Sequence, residues 1–279
     1  MIINDGVRKD EKGRYRFDKQ VDLDTDLIEL ANDVSGIKQA HNLTYIYAYK
    51  FKDGISSREQ REFRNALKYN IESTKYFYSK EIFDFVEDGV FRLDEHKRLD
   101  TFKVLVSVKP TYRNNRTLLD LITLHIEQYS SVGIISFELL KEIIKNVTFD
   151  TQKAFQALKN TNKYGRKSDE ELWNTIHDAE QTFNDIDPEE KFTIKDYLPV
   201  VLREGFINYL KFQSKEDEEL YRNLDKGTEV LIIDDFITSG STMKEIIRYL
   251  NTINPNNNIT AFAFMDQLRE YWQRRNQYE

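Results

Sequence analysis

Val230-Leu231-Ile232-Ile233-Asp234-Asp235-Phe236-Ile237-Thr238-Ser239-Gly240-Ser241-Thr242 is the stretch on which the fold turns. Four apolar residues in succession, Val230 to Ile233, are more than one face of a strand holds, so a strand buried on both faces of a parallel sheet is expected. Asp234 and Asp235 stand where that strand ends. Thr238 to Thr242 make a small hydroxyl-rich loop around Gly240, and then Met243, Ile246, Ile247, Leu250 and Ile253 recur at helical spacing. Free N–H groups at a helix start, with the helix dipole, favour an anion such as phosphate. Gly240 lets the backbone approach that anion closely and take a positive φ. Phosphate oxygens repel carboxylates, so the two acids should face something else: sugar hydroxyls or Mg²⁺, a hard cation that takes oxygen ligands. A sugar phosphate with more than one handle is the ligand this order implies.

Other readings of the stretch fail on particular residues. A strand-terminal acid pair also occurs in P-loop NTPases, but no G-x-x-x-x-G-K-[ST] exists in the chain. A response-regulator receiver opens on a similar apolar run and acid pair, yet needs far more chain than the 44 residues that follow Asp235. A plain turn capping a helix would not require two adjacent acids at a buried strand end.

The stretch resembles the PRPP-binding signature of type I phosphoribosyltransferases, in which four apolar residues precede two acids and a T-[TS]-G-x-T loop (PRPP is phosphoribosyl pyrophosphate). Asp234-Asp235, Thr238-Ser239-Gly240 and Thr242 fall in register with it. The resemblance implies that the acids hold the ribose 2′- and 3′-hydroxyls and that Thr238, Ser239, Gly240, Ser241 and Thr242 hold the 5′-phosphate. It also implies Mg²⁺ as cofactor, with Asp234 and Asp235 as its candidate ligands, and a loop after the first core strand that holds pyrophosphate.

Composition sets outer bounds. The 279 residues carry a net charge of −7, which argues against a general binder of nucleic acid or membrane surfaces. No run of about 18 apolar residues exists, and no basic-then-apolar leader opens the chain. The absence of cysteine excludes disulfides, thiolate catalysis and Cys-ligated zinc. A cytoplasmic protein is expected. The four histidines, His41, His96, His125 and His177, have no metal or triad spacing.

Along the chain, Asp26 to Ala40 reads as a short helix, and Leu43 to Phe51 as a strand whose Tyr45, Tyr47 and Tyr49 share a half-wet face. Ser56 and Glu59 form a capping box for a polar helix to about Ile71, with Arg58, Arg61, Arg64 and Lys68 read as its solvated side. Tyr76 to Leu93 reads as two short strands around Asp88-Gly89. Phe102 to Val108 is a strong strand, and Lys109, Thr111 and Arg113 in the basic loop after it are the candidates for pyrophosphate. A helix capped by Thr117 and Asp120 follows. Residues 134–190 read as a helical insertion: Phe137 to Ile144, Ala154 to Leu158, and a third helix capped by Ser168 and Glu171. Ile207 to Phe212 is expected as the strand beside 230–233, Asp217 to Leu224 as a short helix, and Ile259 to Met265 as a further core strand before a C-terminal helix.

The expected fold is α/β, a mostly parallel sheet of the type I phosphoribosyltransferase kind with its ligand at the carboxyl ends of the strands. Residues 101–279 are expected to form this core with its insertion, and residues 1–100 a hood or accessory region. The function implied is phosphoribosyl transfer from PRPP to a nitrogen acceptor, a base or amine, with Asp234, Asp235 and Lys109 as the catalytic candidates. A nucleoside 5′-monophosphate is the other ligand expected. The alternative is a non-catalytic PRPP- or nucleotide-binding regulator or accessory protein on the same fold, with a homodimer or another protein as partner.

Overall fold

The structure, a computed structural model, describes residues 6–18, 28–29, 36–40, 43–51, 56–69, 71–109, 117–130, 133–160, 164–193 and 200–266. The elements of the first half are β1 (Gly6–Lys9), β2 (Tyr15–Asp18), β3 (Ile28–Glu29), β4 (Gly36–Ala40), β5 (Leu43–Lys50), α1 (Ser57–Tyr69), α2 (Ser79–His96), β6 (Val104–Val108) and α3 (Leu118–Tyr129). Those of the second are β7 (Ile135–Lys141), β8 (Thr148–Phe149), α4 (Thr151–Lys159), α5 (Asp169–Asn184), β9 (Phe206–Ile207), β10 (Leu210–Phe212), α6 (Lys215–Arg222), β11 (Glu229–Ile237), α7 (Ser241–Ile253) and β12 (Asn258–Asp266). Contacts divide the chain into one unit of Met1–Phe137, Asp225–Ile237 and Asn256–Gln267, and a second of Glu138–Leu224, Thr238–Pro255 and Leu268–Glu279.

In the first unit β6, β11, β12 and β5 lie side by side, each parallel to its neighbour, with β4 antiparallel outside β5. The apolar run works as expected: Val230 to Ile233 are at most 1% exposed. Leu231 and Ile233 pack into one core with Leu105, Phe262, Phe264 and the apolar sides of α1, α2 and α3. Burying each such side chain is worth about 1.5–3 kcal/mol against leaving it in water. The α/β class with a mostly parallel sheet is therefore as the sequence implies. Strand Leu43–Lys50, expected within a hood or accessory region, is instead the parallel neighbour of β12.

Local signals explain several helix starts. Ser56 and Glu59 exchange backbone bonds at 3.2 and 3.0 Å, and Thr117 and Asp120 at 3.3 and 2.8 Å, as capping boxes should. Two expectations fail here. Tyr76 to Leu93 holds no strand pair around Asp88-Gly89; it is largely α2, whose buried Ile82, Phe85, Val86, Gly89, Val90 and Leu93 repeat at three and four. The helix read at Asp26 to Ala40 is replaced, where residues are described, by β3 and β4. β4 satisfies the open backbone edge of β5, which local pattern does not reveal.

In the second unit β7 and β10 pair antiparallel, Leu139 opposite Phe212 and Lys141 opposite Leu210. The helix read at Phe137 to Ile144 is thus largely strand, with Phe137 and Leu139 buried two apart. Leu210–Phe212 pairs with this strand, whereas the partners of Val230 to Ile233 are β6 and β12. The helices expected at 154–158 and after Ser168 are present as α4 and α5, which enclose Ala154, Leu158, Leu172, Ile176 and Leu202. α7 is tied down by Asn254, whose amide donates to the carbonyls of Tyr221, Arg222 and Leu224 at 3.1–3.4 Å. The C-terminal helix read after Asp266 lies outside the described residues. No helix among the described residues is long and apolar enough to cross a membrane.

Candidate functional site

Parallel pairing puts the carboxyl ends of β6, β11, β12 and β5 on one side of the first unit. Asp234 and Asp235 stand near that end of β11, with Asp234 opposite Ala263 of β12. Asp235 is only 6% exposed, and leaving its charge alone there would cost several kcal/mol. The cation is supplied by Lys68, in the last turn of α1, whose Nζ donates to Asp235 Oδ1 at 2.7 Å. The Phe236 N–H donates to the same oxygen at 2.8 Å, and the Asp235 N–H to Asp234 Oδ1 at 2.9 Å.

These charges act on each other. Burial, and then the charge of Asp235, hold the Asp234 carboxyl well above the usual range, although Lys68 pulls the other way. Burial by itself would lower the Lys68 pKa, but Asp235 and then Asp234 lift it above its ordinary value. Lys68 therefore keeps its proton beside Asp235, and Asp234 favours its neutral form.

Lys109 follows β6, whose Val104, Leu105 and Val106 lie opposite Val230, Leu231 and Ile232, so it leaves the sheet at the same end as the acids. Thr111 and Arg113 lie outside the described residues. The tyrosine face is more buried than its alternation suggests. Tyr45 and Tyr49 are 1% exposed, and Tyr45 donates to Asp266 at 2.9 Å and Tyr49 to Asp88 at 2.8 Å.

In the second unit Gly240 takes φ 73° and ψ 0°, a left-handed conformation that favours glycine, and caps α7 without a side chain. The first turn of α7 holds no acid, so no side-chain carboxylate of its own takes its N–H groups. Ser239 and Ser241, both nearly buried, share a hydrogen bond between their hydroxyls at 2.9 Å. The Ser241 N–H also reaches Ser239 Oγ, at 3.4 Å. The next turn is fixed by Glu245, 4% exposed, which accepts from the Asn208 N–H at 2.7 Å and from Arg248 at 2.6 and 2.8 Å.

Residues 206–278 match the family model of the phosphoribosyl transferase domain. The type I phosphoribosyltransferase resemblance read from Val230 to Thr242 is borne out over that segment, which contains β9 to β12, the acid pair and the loop. No match is found among curated proteins. Among solved structures the chain is similar to adenine phosphoribosyl transferase from Trypanosoma brucei, solved with AMP, pyrophosphate and ribose-5-phosphate. Identity is 13% over 80% of this chain and 86% of that one, with a TM-score of 0.29. A likeness of that size carries nothing about ligand or activity.

The phosphoribosyl transferase segment holds the acids and the loop but not the cation beside Asp235. Lys68 lies 167 residues away in sequence, on a helix face that reads as solvated. Its only local signal is its place directly after the buried Ala66 and Leu67. Asp266, the buried acceptor at the end of β12, was also missed. A protein-held Mg²⁺ does not fit the acid pair as it stands. One oxygen of each carboxylate already accepts an N–H, and Asp235 carries the ammonium as well. Among the described residues no group of three or more ligating side chains converges.

Proposed function

We propose that this protein binds PRPP, or a nucleoside 5′-monophosphate, through residues 234–242 and transfers phosphoribosyl to a nitrogen acceptor with release of pyrophosphate. The phosphoribosyl transferase match supports phosphoribosyl transfer from PRPP in general. The observation that carries the finer reading is the order at the end of β11: two acids on a buried strand, two further residues, then a small-residue loop that opens an uncapped helix. Three residue steps separate Asp235 from Thr238, so roughly 10 Å at most lies between their Cα atoms.

In this reading Asp234 and Asp235 accept the ribose hydroxyls, and Thr238, Ser239, Gly240, Ser241 and Thr242 surround the 5′-phosphate with N–H and O–H donors. Lys109, with Thr111 and Arg113, receives the pyrophosphate. As the bond from C1′ to pyrophosphate breaks, positive charge grows on the sugar and negative charge on the leaving group. Asp235 faces the first and Lys109 the second, so the protein works by positioning and electrostatics. This scheme gives Mg²⁺ to the diphosphate of PRPP rather than to the acid pair. The N-terminal hundred residues take part through α1, which brings Lys68 to Asp235. A cytoplasmic setting suits a chain without cysteine.

Incubation with PRPP, Mg²⁺ and a panel of nucleobases and amines tests the reading. Pyrophosphate release with one acceptor is expected. Tight PRPP binding without release from any acceptor would replace the enzyme with a regulator that only holds the ligand.

A further inference from the structure

The acid pair is already served by a cation from its own chain. Lys68 Nζ stands 2.7 Å from Asp235 Oδ1, with the Lys68 side chain 28% exposed and that of Asp235 8%. The oxygen it binds also accepts the Phe236 N–H at 2.8 Å, so this side of the carboxylate has two donors and no room for a metal. A divalent ion on the remaining oxygens would sit within a few ångströms of the ammonium and be repelled by it. Mg²⁺ gives up its waters reluctantly and asks for near-octahedral oxygen ligands, which two half-used carboxylates do not supply. A lysine ammonium asks only for acceptors, and its stem comes from a separate helix, so its position does not depend on the sugar.

We propose that Lys68 is the resident cation of the acid pair, taking the place a divalent metal would occupy, so that a ribose diol engages Asp234 and Asp235 with no metal bound to either. This deepens the ribose phosphate reading and rests on it. Lys68 acts as a positioning residue: its ammonium holds the Asp235 carboxylate through Oδ1.

Two measurements on the full chain separate this inference from the reading beneath it. The first uses Mn²⁺ alone as probe, followed by water-proton relaxation, in wild type, Lys68→Met, Lys68→Arg and the double variant Lys68→Met with Asp235→Asn. Lys68→Met is expected to gain a Mn²⁺ site at least about tenfold tighter than any in wild type. The double variant should lose that site, and Lys68→Arg, which keeps the charge, should gain none. Circular dichroism checks that each variant folds, with Lys68→Gln as a replacement for Met. The second titrates ribose 5-phosphate, which has no diphosphate to carry a metal, by calorimetry with EDTA or with Mg²⁺. Wild-type affinity should agree within about twofold between the two, while Lys68→Met should weaken about fivefold or more in EDTA and recover with Mg²⁺. A wild type that loses ribose 5-phosphate when Mg²⁺ is removed, or a Lys68→Met that gains no Mn²⁺ site, overturns the proposal. If the Mn²⁺ results hold but ribose 5-phosphate binds nowhere, the ribose reading falls and the metal-excluding role of Lys68 stands.

Discussion

Gly89 of α2 lies so close to Phe264 of β12 that a Cβ on it would stand 2.3 Å from the ring carbon Cε2 and 3.0 Å from the Tyr49 ring. The helix can approach the sheet this closely only because the position has no side chain. Phe264 has no room to retreat, being fully buried with Tyr49 and Phe85 edge-on at 5.2 and 5.4 Å. Two effects oppose each other in Gly89→Ala. Helix propensity favours alanine by about 1 kcal/mol, whereas forcing a methyl into a full core costs about 1–3 kcal/mol. At 2.3 Å the clash wins. Urea unfolding should show Gly89→Ala destabilised by about 1–2 kcal/mol, and a variant more stable than wild type would show that α2 stands off from the sheet.

The acid pair predicts a pH dependence. The folded chain holds the Asp234 proton more tightly than the unfolded chain does, because burial and the Asp235 charge raise its pKa. Its contribution is therefore fully present below the ordinary carboxylate pKa and is lost as pH rises through the raised folded value. Stability measured by urea from about pH 4 to about pH 9 should fall more steeply in wild type than in Asp234→Asn. Equal slopes would mean that Asp234 ionises as it does in water.

Glu245 holds α7 to the segment before β10. Its carboxylate collects the Asn208 N–H at 2.7 Å and two Arg248 donors, and Asn208 is held at φ 63° beside it. Glu245→Gln keeps the shape but turns an NH₂ toward donors. A loss of about 1.5–3 kcal/mol is expected. A change below about 0.5 kcal/mol would show the network to be incidental.

Lys109→Ala separates catalysis from binding. If Lys109 meets the leaving pyrophosphate, its charge matters most as the bond breaks. Turnover should then fall by a larger factor than PRPP affinity. Equal factors would make Lys109 a binding residue only.

Much of the frame was legible because its causes are local. The runs Val230 to Ile233 and Ala261 to Met265 are apolar on both faces because both faces are covered, and the boxes at Ser56/Glu59, Thr117/Asp120 and Ser168/Glu171 span three residue steps each. The errors arise where a distant partner decides. Gly89 reads as a turn when Phe264 is out of view, although it marks a close helix–sheet approach. Leu139 and Phe212 sit in strands because they pair with each other across 73 positions, as the register of β7 and β10 shows. Within the site, the acids and the loop could be read from spacing. Lys68 could not, since nothing near it in sequence announces a carboxylate from β11.

Calorimetric titration of ribose 5-phosphate and of inorganic phosphate into wild type and Asp234→Ala tests the central claim most directly. If Asp234 accepts a ribose hydroxyl while the 238–242 loop holds phosphate, the substitution should weaken ribose 5-phosphate by roughly 3-fold to 10-fold, the worth of a hydrogen bond to a neutral carboxyl. Inorganic phosphate should be left within about twofold. Equal weakening of both ligands, or no ribose 5-phosphate binding by wild type at millimolar concentration, would contradict it.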